Sequence, residues 1–393
     1  MICRRLLATT IRTSSYAVAL IVWQSAALGG AITVRDAQGL RSALSRAQPG
    51  ATILLAPGHY GNGFQVERVN GRKDRPIVIA AADKQSPAVF EGGKQALHFV
   101  DCNFVTLRHV RVVGCALNGI NADDGVSFET PSRGMVFENV TIKDIGPKGN
   151  HDALKLSGLR DFVVRNCVFS GWGGSAIDMV GCQNGIIENC QFIGKEGFSQ
   201  SNGIQAKGGS EQILIRRNFF RYAGQRAVNF GGSTGLAYFR PKPQGYEAKD
   251  IEVVGNHFVS SMAPVAYVTS INCRVCWNTF VYPEKWVMRI LQEQPIGQFQ
   301  PCQQGVFESN LIVFDRRVQV FVNVGPNTRP ETFSFRRNAW YSSDGNRLPS
   351  LPTAEINGVY QVDPMLENAD TPDAKMRSKD QRLSEVGAHA FEM

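Results

Sequence analysis

The sequence predicts an all-β chain wound into a single-stranded right-handed parallel β-helix with an N-terminal helical cap. Three observations carry this. First, an Asn recurs inside strand-like runs at 139 (FENVTI), 166 (VRNCVF), 189 (IENCQF), 218 (RRNFF), 256 (VGNHF), 278 (CWNTF), 310 (ESNLIVF) and 338 (RRNAW). The intervals are 27, 23, 29, 38, 22, 32 and 28 residues, the ragged period of a stacked solenoid. Second, the apolar runs are β-branched and aromatic while glycine is abundant at 39, which suits short strands joined by tight turns. Third, helical periodicity is almost confined to one segment near the N-terminus. A leucine-rich repeat needs a fixed Leu/Asn pattern that is missing, and a propeller blade needs a period of about 40 or more. In this reading each Asn holds one turn corner per coil, tolerating left-handed backbone and bonding to the Asn above.

Residues 1–31 read as an export signal: Arg4, Arg5 and Arg12 without an acid, then the apolar run Ala17–Trp23 and small residues to Ala31. That run is far short of the roughly 20 apolar residues of a membrane span, so no stable anchor is expected. The expected location is periplasmic or extracellular, and the expected state a monomer. Without the signal the formal charge falls from +8 to +5, because three Arg leave. A mildly basic exported chain suits an anionic glycan, and no basic run interleaved with aromatics points to nucleic acid.

The β-helix domain is assigned to 32–365. It opens with a short strand, then an amphipathic helix with Leu40, Leu44 and Ala47 on one face, ended by Pro49-Gly50. Such a helix covers the open end of a strand stack, whose unpaired edges are otherwise a hazard. Strands follow at Thr52–Ala56 and Pro76–Ala81. The longest intervals carry insertions, GGSTGLAYFRPKPQGYEAKD and PEKWVMRILQEQPIGQFQPC, and the first is placed to wall a groove. After Trp340 the chain turns polar and Pro-rich, and 366–393 read as a C-terminal cap and tail on the last coil. Of nine cysteines, Cys3 lies in the signal; Cys167 and Cys190 follow marker Asn residues and should stack as a buried thiol ladder. Cys273-Arg-Val-Cys276 has no second pair and is a weak metal signal. His98 and His109 fall in apolar strand runs and read as structural.

Chemistry gathers in three segments, ALKLSGLRDFVVRNCVF (153–169), AIDMVGCQNGIIENCQF (176–192) and IQAKGGSEQILIRRNFF (204–220). Eleven residues before Asn166, Asn189 and Asn218 stand Lys155, Asp178 and Lys207. Stacked coils about 4.8 Å apart would set these three in one outward column. A solvated Lys–Asp–Lys ladder is the plain alternative, worth roughly 0–1 kcal/mol per pair. Arg226, Arg240 and His151 at neighbouring strand ends add positive charge beside the column, which favours a bound anion. Tyr238, Phe239 and Tyr246 in the inserted loop, and Trp172 and Trp286 elsewhere, are candidates to stack on sugar rings or to pack.

The segment SNGIQAKGGSEQILIRRNFFRYAGQRAVNFGG (201–232) resembles the active-site coils of the β-helical polysaccharide lyases of the chondroitinase B and alginate lyase type. The resemblance in motif covers about 30 residues, and the β-helix pattern most of the chain. It implies an acidic polysaccharide substrate cleaved by β-elimination, with Lys207 as base and Arg226 as acid. Lys155, Asp178, Arg240, His151, Gln205, Tyr238 and Tyr246 are then the substrate-binding candidates. The family places acidic calcium ligands just before the lysine, whereas this chain has Gln200, Asn202 and Gln205. No metal or other cofactor is therefore expected to be required, and calcium stays an alternative whose usual acidic ligands are not seen. The carboxylate of the sugar would be neutralised by Lys155, Arg240 or His151.

Three other readings stay open. A hydrolase needs two carboxylates flanking the scissile bond, and Asp123, Asp124, Asp152 and Asp178 are available, but the Gly-His-Gly and Arg-Ile-Lys of β-helical polygalacturonases are missing. A uronate C5-epimerase shares the first proton abstraction, and His151-Asp152 faintly resembles the His-Asp pair of alginate epimerases. A non-catalytic glycan-binding or structural β-helix is the third.

Overall fold

The computed structural model describes residues 30–392. The segment read as an export signal therefore lies, but for its last two residues, outside the described residues. Three parallel sheets of seventeen, ten and twelve strands run the length of a cylinder, most coils contributing to all three. Among the described residues the one antiparallel pair of strands is Leu366–Glu367 with Lys375–Met376. A helix at Ala37–Ser45 is capped by Asp36, whose carboxylate accepts from the Gly39 N–H, and buries Leu40, Ala43 and Leu44 against the first strands. No described helix is long and apolar enough to cross a membrane.

Inside the cylinder, equivalent side chains of successive coils lie one above another. Phe169, Phe192, Phe220, Phe258 and Phe280 form a stack with ring centroids 4.6–5.0 Å apart. A second column is polar. The Asn218 side chain donates to the Asn256 carbonyl oxygen at 3.0 Å, Asn256 to Asn278 at 3.0 Å, Asn278 to Asn310 at 3.1 Å and Asn310 to Asn338 at 3.0 Å. Each acceptor oxygen also takes the backbone N–H of the preceding Asn, so these buried amides are paired.

This corrects the expectation that every marker Asn occupies the same corner. Asn139, Asn166 and Asn189 do adopt the left-handed conformation (φ 52°, 55° and 54°). From Asn218 onward that conformation falls on the preceding residue, Arg217, Gly255, Trp277, Ser309 and Arg337, and the Asn turns inward. The inward position is Cys167 and Cys190 in the earlier coils; the Cys190 N–H donates to the Asn218 oxygen at 2.8 Å. Asn suits both places for different reasons, one conformational and one as a self-pairing amide. All eight described cysteines are free and buried, which makes the Cys167–Cys190 stack a thiol ladder rather than a disulfide. Asn278→Leu should lower stability by about 1–3 kcal/mol for each buried group it leaves unpaired. An unchanged urea midpoint would show that the ladder contributes nothing.

Residues 366–392 do not close the last coil. They run back along the outside of the cylinder. Leu383 and Val386 pack with Leu311 and Ala339, the Gly387 N–H donates to the Ser309 carbonyl, and His257 Nε2 meets the Ala369 carbonyl at 2.7 Å.

Candidate active site

The ten-stranded sheet carries the chemistry. Strand Leu154–Ser157 pairs with Ser175–Val180, then Asn202–Lys207, Arg226–Gly231, Ala263–Val268 and Met288–Leu291. Their outward residues form a column Lys155, Asp178, Gln205, Asn229, Ala266, Arg289. Lys207 is not in it. It is level with Val180, two residues further along. Two one-residue offsets account for the error: Arg217 rather than Asn218 holds the corner, and Gly208-Gly209-Ser210 spans what Gly181-Cys182 spans one coil earlier. The offsets add to a full strand period, so Lys207 still faces outward.

A second outward row lies three residues before the column, at Asn118, Asp152, Ser175, Asn202 and Arg226. Four coils join the two rows through side chains. Asn118 Nδ2 donates to Asn121 Oδ1 at 3.0 Å, Lys155 Nζ to Asp152 Oδ2 at 2.9 Å, Asn202 Nδ2 to Gln205 Oε1 at 3.4 Å, and Arg226 Nη1 to Asn229 Oδ1 at 3.3 Å. Arg226 thus lies on the groove face. Its Nη2 also pairs with Glu293 Oε1 at 2.9 Å. Lys207 Nζ reaches Gln205 Oε1 at 3.2 Å from the other side of the column. Lys207 and Arg226 flank Gln205 and Asn229, with 18 % and 19 % of their side chains open to solvent.

The Lys–Asp–Lys group is no solvated ladder. Asp178 and Asp152 are 0 % exposed, covered by the lysines that bind them. Lys155 Nζ donates to Asp178 Oδ2 at 2.6 Å, and Lys207 Nζ lies 3.2 Å from Asp178 Oδ1, close enough for an ion pair but outside hydrogen-bond geometry. Burial works to raise Asp178, but the charges of Lys207 and Lys155 outweigh it and hold the carboxyl below its usual range. Burial, reinforced by Asp178, pushes Asp152 up. For Lys155 burial works downward and loses to Asp178 and Asp152, so the ammonium sits above the usual lysine range. Lys155 therefore stays charged at working pH and cannot serve as a base.

That shift fixes a pH dependence. A lysine raised on folding contributes stability that is fully present below its unfolded pKa and is lost as pH rises through the folded value. The urea-midpoint difference between wild type and Lys155→Met should hold across neutral pH and shrink only under strongly alkaline conditions. A difference that fades near neutrality contradicts the assignment.

A family model described as a right-handed β-helix region matches residues 95–280. This chain is a right-handed parallel β-helix protein. Among curated proteins none matches its sequence. Among solved structures the β-helix is similar to an alginate lyase from Paenibacillus sp. str. FPU-7 (TM-score 0.51, 20 % identity), covering 84 % of this chain and 98 % of that one. It is also similar to the PL6 family alginate lyase AlyGC (TM-score 0.50, 13 % identity), where 92 % of this chain covers 57 % of the other. A tailspike protein of E. coli bacteriophage HK620 in complex with a pentasaccharide is a third (TM-score 0.50, 12 % identity, 83 % and 67 % covered). At these identities the likeness is one of fold.

The other candidate residues are placed differently. Arg240 is clamped by buried Asp124, with Nε 2.7 Å from Oδ2, and its guanidinium lies 4.2 Å from the Phe128 ring centroid. It sits at the edge of the β-helix over Gly158 and Gly181, apart from the Gln205–Asn229 pair. His151 lays its ring over Gly146 at the corner, next to the strip residue Asp152. Tyr246 is buried, with its hydroxyl donating to Glu211 at 2.7 Å, so its ring is not a sugar platform. Trp172 is likewise buried, its Nε1 donating to the Asn202 carbonyl at 2.7 Å. Tyr238 is exposed. His98, expected to be structural, faces outward in line with Asn121 and Lys155, and its Nε2 meets Asp123 Oδ2 at 2.5 Å.

Asn229, Asn202, Asp152 and Glu293 are strip residues that sequence reasoning did not place on the strip, naming Asn202 only at the calcium-ligand positions and Asp152 only as a hydrolase carboxylate or half of a His-Asp pair. The first three have a signal, the three-residue spacing to Arg226, Gln205 and Lys155. Glu247 is another. It is fully buried in the inserted loop and accepts from the Gly208 N–H at 2.6 Å, the Thr234 N–H at 2.6 Å, the Thr234 hydroxyl at 2.7 Å, and the Gln294 side chain. One carboxylate thus ties the turn after Lys207 to the segment carrying Glu293, the partner of Arg226. The calcium that the family resemblance brings does not fit here: Gln200 faces its own turn, hydrogen-bonded to the Lys195 and Phe198 backbone, while Asn202 and Gln205 bond each other. Among the described residues no group of three His, Cys, Asp or Glu side chains is placed to hold a metal.

Proposed function

We propose that this protein is an exported lyase that cleaves a uronate-containing polysaccharide by β-elimination, acting as a monomer. One observation carries the reading. Lys207 and Arg226 face out from neighbouring strands on either side of a pair of amides, Gln205 and Asn229, with both cations partly open to solvent. The reaction needs a base for the C5 proton, an acid for the glycosidic oxygen leaving C4, and donors for the uronate carboxylate. Lys207, as the uncharged amine, takes the C5 proton and becomes an ammonium facing Asp178, the electron pair becomes the C4–C5 double bond, and the C4–O bond breaks. Arg226 supplies the proton to the departing oxygen while Glu293 holds its guanidinium in place. The amides of Gln205, Asn229 and Asn202, with the charge of Lys155 behind them, hold the carboxylate as negative charge spreads into it. Arg240 and His151, placed at the edges, meet the chain beyond the cut bond, and Tyr238 on the loop wall lies on the same path.

Hydrolysis is disfavoured on a specific ground. Asp152 and Asp178 have no exposed surface and both bind Lys155, so they cannot flank a glycosidic bond. The test is incubation of the protein, without added metal, with a panel of uronate polymers while ultraviolet absorbance of unsaturated ends is followed. Absorbance that rises on at least one polymer is the expected result. New reducing ends without absorbance would mean hydrolysis, and solvent deuterium entering uncut polymer would mean epimerisation. Binding without turnover would leave a glycan-binding module.

A further inference from the structure

The strip does not end at Arg226. One coil further, the outward positions of the Ala263–Val268 strand are Ala263, level with Arg226, and Ala266, level with Asn229. Both alanines are fully buried. The next coil brings Arg289 level with Ala266, and Glu293 beyond it pairs back to Arg226 across the alanines. Small residues under that crossing leave room for long side chains from the flanking coils to meet over it.

Charge at this end is unbalanced. Arg289 Nε donates to Asn323 Oδ1 at 2.9 Å, and its guanidinium lies 4.5 Å from the centroid of the Trp286 ring. Lys285 Nζ lies 4.4 Å from the same ring. Trp286 thus orders two cations by cation–π attraction. Among the described residues neither Arg289 nor Lys285 is ion-paired to a carboxylate, and Glu293 is already engaged by Arg226. Three cations therefore share one carboxylate. Burial and the charge of Arg226 act to lower the Arg289 pKa and outweigh the opposing charge of Glu293.

We propose that Arg289 and Lys285, ordered on Trp286 beside the Arg226–Glu293 pair, form a subsite for an anionic substituent of the glycan, a carboxylate or a sulfate ester. Arg289 stands three coils from Lys207, roughly 14 Å at the spacing of paired strands. The subsite therefore grips a sugar beyond those at the cut bond. A planar guanidinium with free edges favours bidentate binding of such an oxyanion. This rests on the lyase reading for the direction of the chain, but its test does not.

The experiment measures binding of a size-defined uronate oligosaccharide by calorimetry to the full chain carrying Lys207→Ala, with and without Arg289→Gln or Lys285→Ala. Each added substitution should weaken binding by about tenfold or more, and high salt should erase the difference. A sulfated glycan of uncharged sugars, free of uronate, run in parallel distinguishes the two anions: whichever ligand loses affinity in Arg289→Gln is the one the subsite takes. Lys285 is exposed, so Lys285→Ala guards against a fold defect at Arg289. Unchanged affinity for both ligands in both variants, or no binding of either ligand, overturns the subsite. Arg289-dependent binding by a protein that cleaves nothing keeps the subsite and discards the lyase, while cleavage with unaltered KM in Arg289→Gln does the reverse.

Discussion

Lys207→Ala should lower the appearance of unsaturated ends by about 10²–10⁴-fold, the usual contribution of a positioned general base. Affinity for the polymer should change far less, because Lys155, Arg226 and the amide column remain. The expectation rests on placement. Lys207 ends its strand on the outward face, and Gly208 and Gly209 follow it with φ of 63° and 90°, backbone that side chains resist. Glu247 fixes the Gly208 N–H at 2.6 Å, so the lysine is aimed by a turn that cannot easily relax. Lys207→Arg sets a permanent positive charge at the same point and supplies no base at working pH, and should be nearly as inactive as alanine. If arginine restored activity, Lys207 would be an electrostatic group and the proton would leave by another route.

The largest effect on stability is expected at Asp178. Its carboxylate is wholly buried between Lys155 and Lys207, and removing one partner of a buried charge group typically costs about 3–5 kcal/mol. Asp178→Ala removes the carboxylate between the two lysines and leaves Lys155 with Asp152 as its one acidic partner. The variant should unfold at markedly lower urea and lose ordered geometry at Lys207. Acid supplies an independent check. A carboxyl whose folded pKa is depressed contributes stability that is present above its unfolded value and is lost as pH falls through the folded one. The gap between wild type and Asp178→Asn should therefore close at low pH, below the usual aspartate range. A gap unaffected by acid would mean that Asp178 matters for packing and not for charge.

The architecture was legible because a coil repeats its own environment. Strand-turn spacing and the end helix each leave a local pattern, and both are found. Register was harder, for a reason visible in particular residues. Asn166 and Asn189 stand three residues before their core phenylalanines, Phe169 and Phe192, whereas Asn218, Asn256 and Asn278 stand two before Phe220, Phe258 and Phe280. The marker had changed corner, and aligning on phenylalanine instead of asparagine would have removed that offset. The second offset, one extra residue after Lys207, has no such signal, because Gly208-Gly209 reads as an ordinary turn. Arg240 misled for another reason: its charge is cancelled by Asp124, more than a hundred residues earlier, and only the stacking of coils brings the two together. Glu247 and Glu293 sit in insertions without periodicity, so nothing in the chain marked them before the loops were seen against the strip.

Product mass decides most directly whether this strip performs an elimination. A homogeneous uronate oligosaccharide is digested with the wild type and the fragments are weighed by mass spectrometry. Elimination gives fragments whose masses sum to the parent, one of each pair carrying the dehydrated, unsaturated end, and Lys207→Ala should give no such fragments. Fragments that together exceed the parent by one water per cut, or equal cleavage by Lys207→Ala, would contradict an elimination driven by Lys207.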